Sequence, residues 1–214
     1  MVADTQRLGQ LITSAGVSLD SVGLAKLIEY RDLLLRWNQV TNLVSRKDID
    51  RLEARHLVDS LTLVPWLNGE RIADLGSGGG LPGIPLALAS PERHFTLVER
   101  RERKARFLEQ AKLDLGLANV EVFARDWQHM EHSFDTVVSR GVAGVEAVWK
   151  LVEPKLAMAG TLIVMSTTRD AATATVSLSG AASVREVAID VPGMDHTHGI
   201  VVVIKQTDKR ADGA

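Results

Sequence analysis

Two spacings of apolar residues divide the chain. Over residues 1–66, leucine and isoleucine recur at helical intervals, with Leu24, Leu27, Ile28, Leu34 and Leu35 on one stripe and Lys26, Glu29 and Arg36 off it. That stripe predicts a helix with one packing face. A second helix is expected to begin near Asp48 or Asp50, either of which could cap it, and to carry Leu52, Leu57, Leu61, Leu63 and Val64 before Pro65. Asn68-Gly69 marks a turn without a linker, so residues 1–66 are expected to form a helical accessory region packed on a core domain of residues 67–214.

From Arg71 the pattern changes to short apolar runs alternating with helical stretches, which predicts an α/β fold with a mostly parallel sheet. The runs are 71–75, 94–98, 120–124, 136–139, 161–165, 184–189 and 200–205, and the crossover helices are 84–89, 104–115 and 145–157. Only Val191-Pro192-Gly193-Met194-Asp195 separates the last two strands, too little for a parallel crossover, so an antiparallel last strand is expected.

The most informative stretch is Ile72-Ala73-Asp74-Leu75-Gly76-Ser77-Gly78-Gly79-Gly80-Leu81-Pro82-Gly83, a strand, a glycine-rich turn and a helix start. Such a turn brings backbone N–H groups and a helix N-terminus close to a nucleotide-like ligand. Two subtypes fit the glycines. Gly76-x-Gly78-x-Gly80 suits an S-adenosylmethionine site, and Gly78-x-Gly80-x-x-Gly83 satisfies a dinucleotide fingerprint. Asp74 favours the first, because a carboxylate there repels a pyrophosphate and can pair with the cationic amino-acid end of S-adenosylmethionine. Ser77 and Leu81 belong to the same loop.

Further candidates follow the next strands. Glu99 ends the second, where a carboxylate can accept hydrogen bonds from both ribose hydroxyls, although the charged run Glu99-Arg100-Arg101-Glu102-Arg103-Lys104 offers it other partners. Asp126-Trp127 follow the third, where Trp127 either stacks on an adenine or serves as packing. Arg140 follows the fourth, either gripping a carbonyl-rich or anionic substrate or forming an ion pair with Asp74 or Asp135. Arg55-His56 and Asp59-Ser60 share one helix face.

Composition removes alternatives. The 214 residues contain no cysteine, which excludes a disulfide framework and a thiolate metal site. The sequence shows no export signal and no apolar run long enough to cross a bilayer, so a cytoplasmic protein without membrane contact is expected. A net charge of −2 gives no global nucleic-acid signature, leaving only a local basic patch for that purpose. Asp195-His196-Thr197-His198 lacks further ligands nearby in sequence and reads as a solvated loop, so no metal is assigned. No serine sits in a nucleophile elbow.

Arg55-His56-x-x-Asp59-Ser60, the run from Asp74 to Pro85, Glu99, Phe107-Leu108 and Ser139-Arg140, in that order, resemble the glucose-inhibited division protein B family. The likeness extends from Trp37-Asn38-x-x-Thr41-Asn42-Leu43 to Val201-Val202-Val203-Ile204-Lys205. It implies helices on a Rossmann-like methyltransferase sheet and S-adenosylmethionine as cofactor. It also implies methylation of a guanine N7 in small-subunit ribosomal RNA, on the RNA or on the small ribosomal subunit. The resemblance assigns Gly76 and Leu81 to the cofactor loop, Asp126 and Trp127 to the adenine end, and Arg140 to the methyl-transfer region as a cofactor-binding and positioning residue. Phosphate contacts are expected from Arg101, Arg103 and Lys104, with Arg100 and Arg106, and from Arg46, Lys47, Arg51, Arg55 and His56 on the helical region. The chain departs from the family where Met165-Ser166-Thr167-Thr168-Arg169 replaces a Lys-Gly pair, and where Arg100 replaces a small polar residue. A small-molecule methyltransferase and a cofactor-binding regulatory protein without turnover are the alternatives.

Overall fold

The computed structural model describes residues 2–166, 177–194 and 197–207. Seven strands form one sheet: β1 (Arg71–Leu75), β2 (His94–Val98), β3 (Val120–Phe123), β4 (Phe134–Arg140), β5 (Leu156–Ser166), β6 (Ala181–Ile189) and β7 (His198–Lys205). Their order is β3-β2-β1-β4-β5-β7-β6, and β1 to β5 run parallel to one another. β7 lies antiparallel between β5 and β6, as the short loop before it requires. Chain order reverses direction across the sheet between β1 and β4, and ligands of open α/β sheets bind outside the strand ends at such a point.

Each sheet face has its own core. Ile72, Phe95, Val138, Ile163, Met165 and Ile200 point to one face, which is covered by α1 (Val2–Ser14), α2 (Ser21–Asn38), α4 (Gly83–Ala89) and α5 (Glu102–Asp114). Ala73, Leu75, Val137, Leu162 and Val201 point to the other, under α6 (Val145–Val152) and Trp127. The stripe on α2 is a packing face as expected: Leu27 and Leu34 are buried, and Leu24, Ile28 and Leu35 pack against the same core. The helices before the sheet therefore share one hydrophobic cluster with it.

Local structure departs from the sequence pattern in three places. Neither Asp48 nor Asp50 caps a helix: Ser45 caps a 3₁₀ turn over Arg46–Arg51, its hydroxyl accepting from the Lys47 N–H. A π-helical turn, Glu53–Val58, follows and runs into the short α3 (Asp59–Leu61). The helix expected over 145–157 stops at Val152, because Pro154 lacks an N–H to continue it, and β5 begins at Leu156. Thr167, Thr168 and Arg169 lie outside the described residues, as do Asp195 and His196.

α4 approaches β2 so closely that a Cβ on Gly83 would lie 2.3 Å from Leu97 Cδ2 and 2.6 Å from Asp74 Oδ2. Leu97 is fully buried, and the Asp74 oxygen accepts the Gly83 N–H, so neither can withdraw without loss. Gly83→Ala is therefore expected to lower the unfolding free energy by about 1–3 kcal/mol or more. Urea denaturation measures it; a change below about 0.5 kcal/mol would mean that the helix sits farther from the strand.

Candidate functional site

The loop from β1 to α4 is held by polar contacts on several sides. Gly76 has φ 76°, a conformation that glycine adopts without strain. The N–H groups of Gly76 and Ser77 both donate to the Val98 carbonyl, at 2.9 and 3.0 Å. Glu99, buried at the end of β2, accepts from Gly78 N–H at 3.1 Å with Oε2 and from Arg101 N–H at 2.8 Å with Oε1. From the helical region, the Tyr30 hydroxyl donates to the Gly79 carbonyl at 2.5 Å. Tyr30 is the chain's single tyrosine, and burial raises its pKa well above the ordinary value, so it stays a neutral donor.

The loop borders a cavity of about 840 Å³ at the C-terminal ends of β1, β2 and β4. That volume suits a ligand of nucleoside size or larger. Gly76, Ser77, Gly78, Leu81, Glu99, Asp126, Trp127 and Arg140 all line it, as do His56, Arg101 and Lys104. Val142, just beyond Arg140, packs over Gly76 so closely that a Cβ there would lie 2.7 Å from it. Leu43, Val44 and Ser45 form a wall supplied by the helical region, shaped by Asn38 Oδ1, which accepts from the N–H groups of Leu43 and Val44 at 2.8 and 3.0 Å.

Four expected site residues lie elsewhere. Asp74 is buried beneath the loop: Oδ2 accepts from Gly83 N–H at 3.0 Å and Oδ1 is buried without a hydrogen-bond partner. It braces the start of α4. Gly80 packs against Ile84 and Leu108. Arg55 pairs through Nε with Asp48 Oδ1 at 2.9 Å, and Arg103 is exposed on α5. Trp127 has a structural anchor as well as a place on the wall, since Nε1–H donates to the Leu151 carbonyl at 2.9 Å and the indole packs 5.7 Å from the Phe134 ring centroid. Asp126 Oδ1 accepts from Gln128 N–H and caps a short 3₁₀ turn, while Arg100 lies 3.4 Å from its other oxygen. Much of the basic patch is also paired, Arg106 with Glu102 at 2.5 Å; Arg46, Lys47, Arg101 and Arg103 are exposed.

Arg140 pairs with neither Asp74 nor Asp135. Its Nη2 lies 2.7 Å from His56 Nδ1 and 3.2 Å from the Arg55 carbonyl, with Asp59 Oδ2 at 3.8 Å. His56 is pushed down to about 3 by burial first, then by the Arg140, Arg55 and His198 charges, so it is neutral at physiological pH and accepts from Arg140 through Nδ1. Burial also lowers the Arg140 pKa, with Asp59 acting against that shift. His198, expected in a solvated loop, is instead the first residue of β7 and buried, its Nδ1 3.2 Å from Asp59 Oδ1. The sequence signal for that burial is its place two residues before the apolar run of β7. No cluster of three or more His, Cys, Asp or Glu fit to hold a metal occurs among the described residues, and no helix among them is long and apolar enough to cross a membrane.

Comparison with known proteins agrees with this architecture. Residues 23–194 match the GidB family, rRNA small subunit methyltransferase G, and the chain belongs to that family. It is 42% identical over 142 residues to the ribosomal RNA small subunit methyltransferase G of Hydrogenovibrio crunogenus, covering 65% of this chain and 66% of that protein. The protein of the same name from Nitrosospira multiformis is 42% identical over 147 residues, 68% of each chain. The aligned part thus spans about two thirds of these relatives' length. Among solved structures, a SAM-dependent O-methyltransferase from Thermotoga maritima superposes with a TM-score of 0.50 at 19% identity, over 74% of this chain and 70% of that one. That likeness is one of fold.

Burial pushes the Asp74 carboxyl up from 3.8 to about 7. Between those values the folded protein keeps a proton that the unfolded chain releases, so this group's contribution makes stability fall as pH rises from about 4 to about 7. Asp74→Asn leaves an oxygen for Gly83 N–H and removes the ionisation. Its unfolding free energy relative to the wild type should therefore improve between pH 5 and pH 8, by on the order of a few kcal/mol. An equal offset at both pH values would show that Asp74 is not so perturbed.

Proposed function

We propose that this protein transfers the methyl group of S-adenosylmethionine to N7 of a guanine in small-subunit ribosomal RNA. The observation that carries the reading is the cavity at the β1/β4 reversal, lined by the glycine loop and Glu99, in a chain whose family match runs through the segment 43–45 that forms one cavity wall. The residues fit the cofactor. Loop backbone can approach it closely, and Glu99, whose oxygens each accept one backbone N–H, retains lone pairs for ribose hydroxyls. Asp126 and Trp127 line the same cavity and would border the adenine.

When bound, the cofactor would supply a methyl on a cationic sulfur, and guanine N7, with a free lone pair, would accept it together with the positive charge, so no proton would have to leave. The protein then needs alignment rather than a general base, and alignment alone can lower the barrier by many kilocalories. Its side chains agree with that need. His56 is neutral, but its Nδ1 lone pair is occupied by Arg140. Glu99 is engaged by two backbone donors. Arg101 and Lys104 on the cavity rim, with Arg46 and Lys47 exposed nearby in sequence to the wall residue Ser45, would meet the phosphates of a large substrate. Such a substrate also implies work in the cytoplasm.

Small ribosomal subunits from cells with and without this gene provide the test. Labelled methyl should pass to a guanine of the deficient subunits, and little should pass to subunits already modified; equal N7 methylation in both sources would reject the RNA reading. The cofactor site has its own check. Glu99→Ala is expected to weaken S-adenosylmethionine binding by about 1.5–3 kcal/mol in calorimetry, roughly tenfold to 150-fold. Unchanged affinity would remove Glu99 from the site.

A further inference from the structure

One side of the cavity is a four-residue connection, Gly141-Val142-Ala143-Gly144, which joins β4 to α6 and is exposed throughout. Both of its ends are pinned. Arg140, the last residue of β4, pairs with Met165 of β5 and is held by His56 and the Arg55 carbonyl. α6 is anchored by buried Val148 and Val152 and by Trp149, whose Nε1–H donates to the Ser179 carbonyl at 2.9 Å. Between these anchors the chain is loosely held: among the described residues no backbone hydrogen bond ties Gly141, Val142 or Ala143, and only the Gly144 carbonyl is engaged, by Val148 N–H at 3.1 Å. A Cβ on Gly141 or on Gly144 would meet nothing within 4 Å. A segment with so few ties and a glycine at each end can rotate as a unit about those ends.

Val142 is the part of this strap that faces the site. It lines the cavity, and its Cγ2 lies 2.7 Å from the place of a Cβ on Gly76, yet the residue is 46% exposed. One side of the valine thus rests on the glycine loop while the other is free to be covered. Strand order says which part of the cofactor it would meet. Asp126 and Trp127 follow β3, Glu99 follows β2, Gly76 follows β1 and Arg140 ends β4, and these strands lie side by side as β3-β2-β1-β4. An adenine at the first and a ribose at the second put the sulfonium end at β1 and β4, under Val142.

We propose that Val142, carried on a strap that pivots at Gly141 and Gly144, closes over the reactive end of S-adenosylmethionine and is a positioning residue for methyl transfer. This rests on the cofactor and guanine-N7 reading above. The chemistry gives a reason for an apolar side chain at that place. In the proposed transfer the S–CH3 bond would break with its electron pair left on sulfur, while the N7 lone pair would form the new bond. A charge localised on sulfur would so become shared between two atoms. Water favours the localised charge, and an apolar cover that keeps water from the methyl favours the shared one. On a movable strap such a cover leaves open the path by which cofactor enters and product leaves.

Measurements on the full chain test this, most of them without RNA. In the wild type, amide exchange at residues 141–144, followed by NMR, should slow by about fivefold or more when S-adenosylmethionine saturates the protein. Stopped-flow dissociation of S-adenosylmethionine should be about fivefold faster from Val142→Ala, and Val142→Ile, which keeps a branched side chain, should release it more slowly than Val142→Ala does. Gly144, at φ −62° and ψ 155°, already has a backbone that proline adopts, so Gly144→Pro should stiffen one pivot and slow both association and dissociation of the cofactor. With small subunits lacking the modification as substrate, Val142→Ala should lower kcat and leave KM for the subunits nearly unchanged. Exchange at 141–144 that stays the same with saturating cofactor, or release from Val142→Ala at the wild-type rate, would overturn the strap and leave the cofactor reading standing. A wild type that binds no S-adenosylmethionine would overturn both. If the wild type binds the cofactor but methylates no subunit, the RNA reading fails, and exchange and dissociation still decide the role of Val142. The exchange measurement needs only the wild type, so it decides even where a variant does not fold.

Discussion

The glycine-rich loop can exist only because its polar backbone has partners on every side. A glycine-rich turn past a strand end leaves N–H and C=O groups without ladder partners, and each unpaired one is costly where water is excluded. Here Val98, Glu99, Asp74 and Tyr30 supply those partners between them. A strand carbonyl and a carboxylate hold the front of the loop, a second carboxylate holds its exit into α4, and a phenol from α2 holds its middle. Leu34 and Leu43 pack on Gly79 as well, each within 3.3 Å of the place a Cβ would occupy. The helices before the sheet are thus part of the loop's support.

The same constraint explains the charged residues. Asp74 is buried where a carboxylate is unfavourable, and a hydrogen bond from the α4 N-terminus compensates only in part, which leaves it prone to hold a proton. Around Arg140, a second arginine, Arg55, and two aspartates, Asp48 and Asp59, lie among the paired groups, with a histidine held neutral so that it can accept rather than repel. Both features are inefficient as packing. Both adjoin the cavity, where a site can be kept for chemistry at the expense of stability.

Much of this is legible in the sequence, and for physical reasons. Strand alternation, glycine spacing and the short loop before β7 are local signals, and the sheet, the loop and the antiparallel strand follow them. The cavity also collects most of the residues that strand ends nominate, from Gly76 to Arg140. What stays hidden is set by tertiary contact. Asp74 sits in the right segment, but the strand's alternation turns it beneath the loop, and only the close approach of Gly83 shows what it holds. His198 resembles loop because its neighbours are polar, whereas its burial depends on Asp59, 139 positions away. Tyr30 carries a usable signal: a hydroxyl within an apolar stripe demands a partner, although sequence does not name Gly79.

On this account the helical region and the sheet build one cofactor site, joined at Tyr30 and Gly79. Amide hydrogen exchange across residues 76–83, measured for the wild type and Tyr30→Phe with and without S-adenosylmethionine, tests it most directly. Loss of that hydrogen bond, worth about 1 kcal/mol, should speed exchange in the loop roughly fivefold and weaken cofactor binding, with little change in the distant strand β6. Loop exchange and cofactor affinity both unchanged in Tyr30→Phe would show instead that the sheet alone forms the site.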